Sequence, residues 1–578
     1  MNIINQLKLL GLMTLLSACA TTGEQKSEPQ KVLAGRQGMA VAAQPEATRA
    51  AAMVLEQGGN AADAAVAAGF AISVVEPTMN SIGGRSQVLL RTPSGEYLAI
   101  NGMTEIPAGY ERPEMPDKDG YRVIATPGVV AALARLHAEH GSLPWAELVA
   151  PAIDLAKNGF EMLPGEAARE AAGLESIKNN PGFQKNILHA DGTTRLAGER
   201  FKQPALARTL QTIADQGAES FYQGEIAATI VEDMAANGGY VTLQDLAQYR
   251  ALDGRYISTT YRDYEIHTIA APAGGGLVVK AMNILENFDL GDLNDLEWAA
   301  VVNQALALSV RTMENDYEES DLIQVTSKAW AAESAKKVKL PEIVLGDEEA
   351  APESGLADIS LAANFDWSGD SWGAGSHHTT HFVTADCAGM TVSITQTVGP
   401  LFGSKVITPE LGFAYASTMG SYLSTAAQSP GSRPRTTIAP TVVTRDGEVV
   451  MVLGAAGGLR ILSGIVQTIS RFVDQGMNLE DAVAAPRIHP ATTTDTVAGT
   501  RTTELNSFHA ELTNRDGWQE ADLAAWQSAG FTAKPNTRYG AFSRVHALGR
   551  EGGIWRGAAD LDWEGSALTP LISSCLLE

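Results

Sequence analysis

The chain of 578 residues has ample length for a large core, and its 45% apolar and 19% charged content is that of a globular protein, not a disordered or membrane-embedded one. Its 67 acidic residues outnumber 42 basic ones, leaving a formal charge of −25. That balance argues against nucleic acid as a partner and against docking on anionic lipid through a basic face.

In chain order, Lys8 precedes an apolar run, Leu9 to Leu16, too short to span a bilayer but suited to the core of a signal peptide. Leu16-Ser17-Ala18-Cys19 resembles the lipobox of bacterial lipoproteins. The resemblance implies that residues 1–18 are removed and that Cys19 is acylated. Ala20 resembles the pattern for outer-membrane sorting, so the implied location is the periplasmic face of a bacterial membrane, with a lipid anchor. An ordinary cleaved signal peptide with a chance Cys is the simpler alternative. Residues 19–35 are polar and read as a tether. Cys387 and Cys575 remain, and the sequence leaves open whether they pair.

Beyond the tether the spacing predicts helices at Pro45 to Gln57, closed by Gly58-Gly59, and at Ala61 to Val75, capped by Asn60 and stopped at Glu76-Pro77. The second is apolar on all sides and should be buried. Further helices are predicted at Gly128 to His140, Pro144 to Asn158, Pro204 to Gln216 and Glu225 to Asn237. Residues 341–378 are acidic, rich in Gly and Ser and weakly periodic, as a mobile segment would be. Strands are predicted at His381 to Ala385 and Met390 to Thr397, then at Thr437 to Val443 and Val449 to Leu453 around an Asp446-Gly447 turn.

The switch from loose segment to strand falls at His378-Thr379-Thr380-His381. A threonine hydroxyl is a weak nucleophile at neutral pH and needs a base. A free α-amine, with an ordinary pKa near 7.7–8.0, supplies one on the same residue. To free that amine, the Thr379 hydroxyl must first attack the His378 carbonyl and cut the chain. Such chemistry needs no cofactor. Three residues alone also fit an ordinary strand. A metal site from His377 and His381 suits the i, i+4 spacing of a helix, whereas Gly373 and Gly375 argue for a loop.

The rest of the chain decides between these readings. Gly58-Gly59-Asn60-Ala61-Ala62-Asp63-Ala64-Ala65, Ile82-Gly83-Gly84, Thr126-Pro127-Gly128 and Pro272 to Gly276 occur in the order of the γ-glutamyltranspeptidases. So do Thr397, Phe402-Gly403-Ser404, Arg433-Pro434, Gly454 to Arg460, Ala485-Pro486-Arg487 and Gly557 to Asp560. The chain resembles that family over roughly residues 36–565. The resemblance implies an α+β fold, the four-layer αββα sandwich of N-terminal-nucleophile hydrolases. It implies a large subunit, 36–378, and a small catalytic subunit, 379–578, held as a heterodimer after self-cleavage. It also implies roles: Thr379 as nucleophile, Thr397 orienting it, Gly457 and Gly458 as the oxyanion hole, and Thr436-Thr437 in place of a Ser-Ser pair at the substrate carboxylate.

Two anchors depart from the pattern. Met103 stands where the family has an Arg for the substrate carboxylate. Thr418 and Ser421 replace the Gln and Asp of the segment that receives the substrate amine. Gly399 replaces a frequent Asn, and the stretch Ser421 to Arg433 is short for a lid. Arg85 or Arg435 could compensate from neighbouring loops. Three functions remain open at this level: a γ-glutamyl hydrolase or transferase, the same chemistry on another acyl amide, and an unprocessed binding lipoprotein.

Overall fold

The computed structural model describes residues 30–312, 319–343, 378–420, 429–495, 500–512, 517–536, 542–560 and 564–571. Layering follows from alternation in short strands. Every residue of Gly38–Ala42 is buried, yet Met39 and Val41 join one apolar cluster while Ala40 and Ala42 join another. Successive side chains leave opposite faces of a strand, so this strand lies between two cores.

It belongs to an antiparallel sheet ordered β19-β2-β10-β11-β3-β4-β7. These are β19 (Ser566–Leu568), β2 (Gly38–Ala42), β10 (His378–Asp386), β11 (Thr391–Gly399), β3 (Arg85–Arg91), β4 (Tyr97–Gly102) and β7 (Leu252–Asp253). A second antiparallel sheet runs β1-β18-β17-β13-β12-β9-β8. Its strands are β1 (Val32–Gly35), β18 (Ile554–Ala559), β17 (Arg544–Glu551), β13 (Glu448–Ala456), β12 (Thr441–Arg445), β9 (Tyr264–Ile269) and β8 (Tyr256–Tyr261). Met39, Val41, Leu89, Val383, Val452 and Leu548 form the core between the sheets. The outer face of the first sheet packs on a helical layer that includes α1 (Pro45–Glu56) and α2 (Ala61–Val75). The second is covered by the helices Gly275–Leu285, Asp295–Arg311 and Arg460–Val473. The result is the four-layer αββα sandwich. A smaller sheet, β14 (Ile488–Asp495), β15 (Thr500–Glu511) and β16 (Thr532–Asn536), and a short pair, β5 (Phe160–Glu161) and β6 (Arg200–Phe201), complete the strands among the described residues.

Helix α2 shows why its ends were readable. The Asn60 side chain accepts from the Ala62 and Asp63 amides, and Asp63 reaches back to the Asn60 amide, closing a capping box. All fifteen of its residues are buried.

Three expectations need correction. The tether does not extend to residue 35: Gln30 bridges to Ala567 and β1 pairs with β18, so residues 30–35 already belong to the folded body. Both ends of the segment 341–378 are pinned. The Ile343 amide donates to Glu297, and His378 is a buried strand residue; residues 344–377 lie outside the described set. The strand expected from Thr437 begins only at Thr441, because the Thr436 amide and the Ile438 carbonyl are bonded to Pro272 and Gly274 and Pro440 has no N–H for a ladder.

Candidate active site

Strand β10 enters the sheet at His378, not at His381, and its register against β11 slips between His378 and Thr380. The extra residue lies on β11, where Thr397 and Val398 both stand opposite Thr379, and such a β-bulge re-aims a side chain. The Thr379 hydroxyl, buried, donates to the Thr397 hydroxyl at 3.3 Å. Thr397 in turn donates to the carbonyl oxygen of His378 at 2.7 Å and accepts from the Gly399 amide at 2.9 Å. The hydroxyl beside the His378–Thr379 peptide and the carbonyl of that peptide thus converge on one threonine. The arrangement suits attack of Thr379 on its own preceding carbonyl.

The same face of β10 turns His381 toward the second sheet. Its ring lies so close to Gly454 that a Cβ there would come within 2.2 Å of it, and Nδ1 sits 2.8 Å from the Thr395 hydroxyl. Burial, then the neighbouring His546, holds the imidazole well below its usual pKa, so it is neutral. At the far end of β10, the Trp555 indole donates to the Asp386 carbonyl at 3.0 Å. Trp555 pairs with Arg550, beyond the residue that faces Val452 across β17 and β13. Two contacts therefore fix the crossing, and the Thr379 end of β10 meets the C-terminal end of β13. There Gly457 (φ 132°) and Gly458 (φ 63°) form the turn into the helix Arg460–Val473, with backbone angles that favour glycine. The Thr437 bond to Gly458 ties the 436–437 pair to this turn. Thr436 is buried, its amide bonded to the Pro272 carbonyl at 2.7 Å.

The two departed anchors come together. Met103 is fully buried, its amide on the Asn101 side chain and its carbonyl 2.6 Å from the Tyr249 hydroxyl. The next residue, Thr104, places its hydroxyl 2.9 Å from that of Thr418. Arg433 lies close by, paired with Glu105 at 2.9 Å, donating to the Asn101 carbonyl and stacked over Tyr249. Ser421, His377 and Cys19 lie outside the described residues. Cys387 is disulfide-bonded.

On the other face of β10 sits a group that sequence reading missed. Glu76, the residue that ends α2, is fully buried beside Thr380, Arg169 and Arg544. Its oxygens close no hydrogen bond among the described residues. Burial raises its pKa to about 7, against the pull of Arg169. Arg169 itself pairs with Glu166 at 2.6 Å in the same interior. In sequence Glu76 read only as the residue before a helix-stopping proline; the groups that give it meaning, Arg169, Thr380 and Arg544, lie far along the chain.

Two facing antiparallel sheets between helical layers, with a threonine as the second residue of an inner strand, right after His378 and beside a second threonine, define an N-terminal-nucleophile hydrolase. It is an amide-hydrolysing enzyme of the self-processing kind. The chain belongs to the γ-glutamyltranspeptidase family, which matches it over residues 47–569. It is 29% identical over 487 residues to the glutathione hydrolase proenzyme of Escherichia coli (strain K12), covering 78% of this chain and 81% of that protein. It is 33% identical over 484 residues to the acylase ACY 1 proenzyme of Pseudomonas sp. (strain V22), covering 79% and 83%. Its fold matches the crystal structure of cephalosporin acylase from Bacillus halodurans with a TM-score of 0.78 at 26% identity, covering 94% of this chain and 98% of that one.

Proposed function

We propose that Thr379 is both the agent of self-cleavage and the nucleophile of the mature enzyme, and that the acyl group it accepts is not a standard γ-glutamyl head. The observation that carries the first part is the Thr379–Thr397–His378 carbonyl chain. In the precursor Oγ1 of Thr379 attacks the His378 carbonyl carbon, the C–N bond breaks, and the proton lost by the hydroxyl passes to the leaving nitrogen, which becomes the new α-amine. Water then hydrolyses the His378–Thr379 ester, leaving residues 379–578 with a free N-terminus. In each later turnover that amine takes the hydroxyl proton as Oγ1 attacks a substrate amide, forming a Thr ester that water or an amine releases. The Gly457 and Gly458 amides are the donors assigned to the tetrahedral oxyanion.

The second part rests on the anchors. A γ-glutamyl zwitterion needs a cation and an anion, and the positions concerned carry a thioether, Met103, and a hydroxyl, Thr418. Relatives named as acylases stand beside those named as glutathione hydrolases, which favours the same chemistry on another acyl amide. Edman sequencing of an active preparation should find a fragment beginning Thr-Thr-His, and Thr379→Ala should remain one chain. Active enzyme without that N-terminus overturns the assignment. We also assign Cys19 as a lipid anchor on the periplasmic side of a bacterial membrane. Cys19→Ser should move the protein from the membrane to the soluble fraction, and an N-terminal peptide carrying unacylated Cys19 would rule the anchor out.

A further inference from the structure

The nucleophile's end of β10 is held by a strand on one side only. Strand β2 accompanies β10 from Phe382 onward, whereas His378, Thr380 and His381 pair with β11 alone. In the uncut chain the peptide to His378 also restrains Thr379, and self-cleavage removes that restraint. The face beneath offers another. Successive residues of a strand project to opposite sides, so Thr380 points away from the face shared by Thr379 and His381. Its hydroxyl is fully buried and closes no hydrogen bond among the described residues. Beside it lies the Glu76 carboxyl, equally buried and unbonded, yet near enough for the hydroxyl to stabilise its charged form. Each of these adjoining groups forgoes a bond that the other could supply.

The frame around Glu76 is stiff. Its amide donates to the Ile72 carbonyl at 3.1 Å, and its carbonyl accepts from the Met79 and Asn80 amides at 3.0 and 2.9 Å. The same loop is fastened to β11: the Val398 amide donates to the Met79 carbonyl at 3.1 Å, and the Asn80 side chain donates at 2.9 Å to Gln396, the residue opposite Thr380. Arg169 and Glu166 from the helix Pro164–Ile177 and Arg544 from β17 are the charged groups that face the carboxyl.

We propose that Glu76 is a positioning residue of the mature enzyme: once the His378–Thr379 bond is cut, the new chain end settles so that the Thr380 hydroxyl donates to the Glu76 carboxyl, and this bond holds Thr379 in line for attack. In the uncut chain the peptide to His378 performs that task, so the bond serves turnover and not self-cleavage. This inference rests on Thr379 as the nucleophile.

The test compares Thr380→Val, which keeps the shape and loses the hydroxyl, with Thr380→Ser, which keeps the hydroxyl. Precursor cleavage is followed on denaturing gels, and turnover with γ-glutamyl- and glutaryl-p-nitroanilide, the faster of the two serving as substrate. Misplacing a reacting group by about 1 Å costs on the order of 100-fold, so kcat of Thr380→Val should fall about 10- to 100-fold with KM within about twofold. Its precursor should be cut at nearly the wild-type rate, and Thr380→Ser should recover most of kcat. Glu76→Leu should match Thr380→Val, the two changes together costing no more than either alone, while Glu76→Gln, which keeps an acceptor, retains most of the activity. Should Glu76→Leu fail to fold beside two arginines, Glu76→Gln and the Thr380 pair decide. Unchanged kcat in Thr380→Val, or cleavage slowed as much as turnover, overturns the role of Glu76 and leaves Thr379 standing. Active wild type without a Thr379 N-terminus overturns both.

Discussion

Replacing Thr397 by valine removes the hydroxyl and keeps the shape. Three bonds go with it, and they are unequal. The contact from Thr379 at 3.3 Å is long for an O–H···O bond and contributes little. The 2.7 Å donation to the His378 carbonyl is short and aimed at the oxygen that becomes negative during attack. Loss of one such donor typically costs about 2.7–4 kcal/mol, so self-cleavage should slow by about 100- to 1000-fold. The Gly399 amide, left without its acceptor in a buried site, costs a further ~1–3 kcal/mol of stability, tolerable against the usual ~5–15 kcal/mol. Precursor made by pulse expression and followed on denaturing gels should therefore fold, by circular dichroism, yet persist uncut long after the wild type has processed. Thr397→Ser should restore cleavage to within about tenfold, since it keeps the donor and loses only a methyl. Folded Thr397→Val that processes at the wild-type rate would refute the reasoning, because the polarised carbonyl would then be incidental.

Two other outcomes follow from packing and charge, both read on the uncut Thr379→Ala chain. Gly454→Ala drives a methyl into the His381 ring, which is tethered to Thr395, so Tm should fall by several degrees, and an unchanged Tm would mean that the sheets can part there freely. Glu76 has a pKa raised from 4.5 to about 7, so the folded chain holds its proton more tightly than the unfolded one. Its contribution is most favourable below pH 4.5, declines as pH rises to about 7, and is flat above, a loss of about 3 kcal/mol across the window. Glu76→Gln should remove that decline and be the more stable form at pH 8; an identical pH slope in both chains would sink the assignment.

Local signals were legible and long-range ones were not. Helix α2 was delimited to the residue because Asn60, Asp63 and Pro77 act within a few positions of its ends. The Thr379 strand was recognisable from its composition, but the bulge facing it on β11 was not, since a register slip is a relation between two strands. The false strand at Thr437 shows the opposite failure. A strand was expected there, but tertiary bonds to Pro272 and Gly274 claim the backbone of Thr436 and Ile438, and Pro440 has no N–H to donate. Arg433 and Glu105, 328 positions apart, could be seen only as separate charges. Arg85 was expected in a neighbouring loop, whereas it opens β3 opposite Thr397 across the sheet.

The position of β2 has a further consequence. A strand from the N-terminal part of the chain lies between β10 and β19, both of which follow Thr379, and β3 pairs with β11 just as β9 does with β12 and β1 with β18. A break between His378 and Thr379 therefore severs the polypeptide without creating a separable part. Each piece supplies strands that the other needs for its backbone hydrogen bonds, so pulling them apart would strip both sheets at several seams. Dissociation and unfolding become the same event, and the two fragments have no meaningful affinity apart from the stability of the whole. The enzyme can in this way free a chain end in its interior while remaining, mechanically, one body.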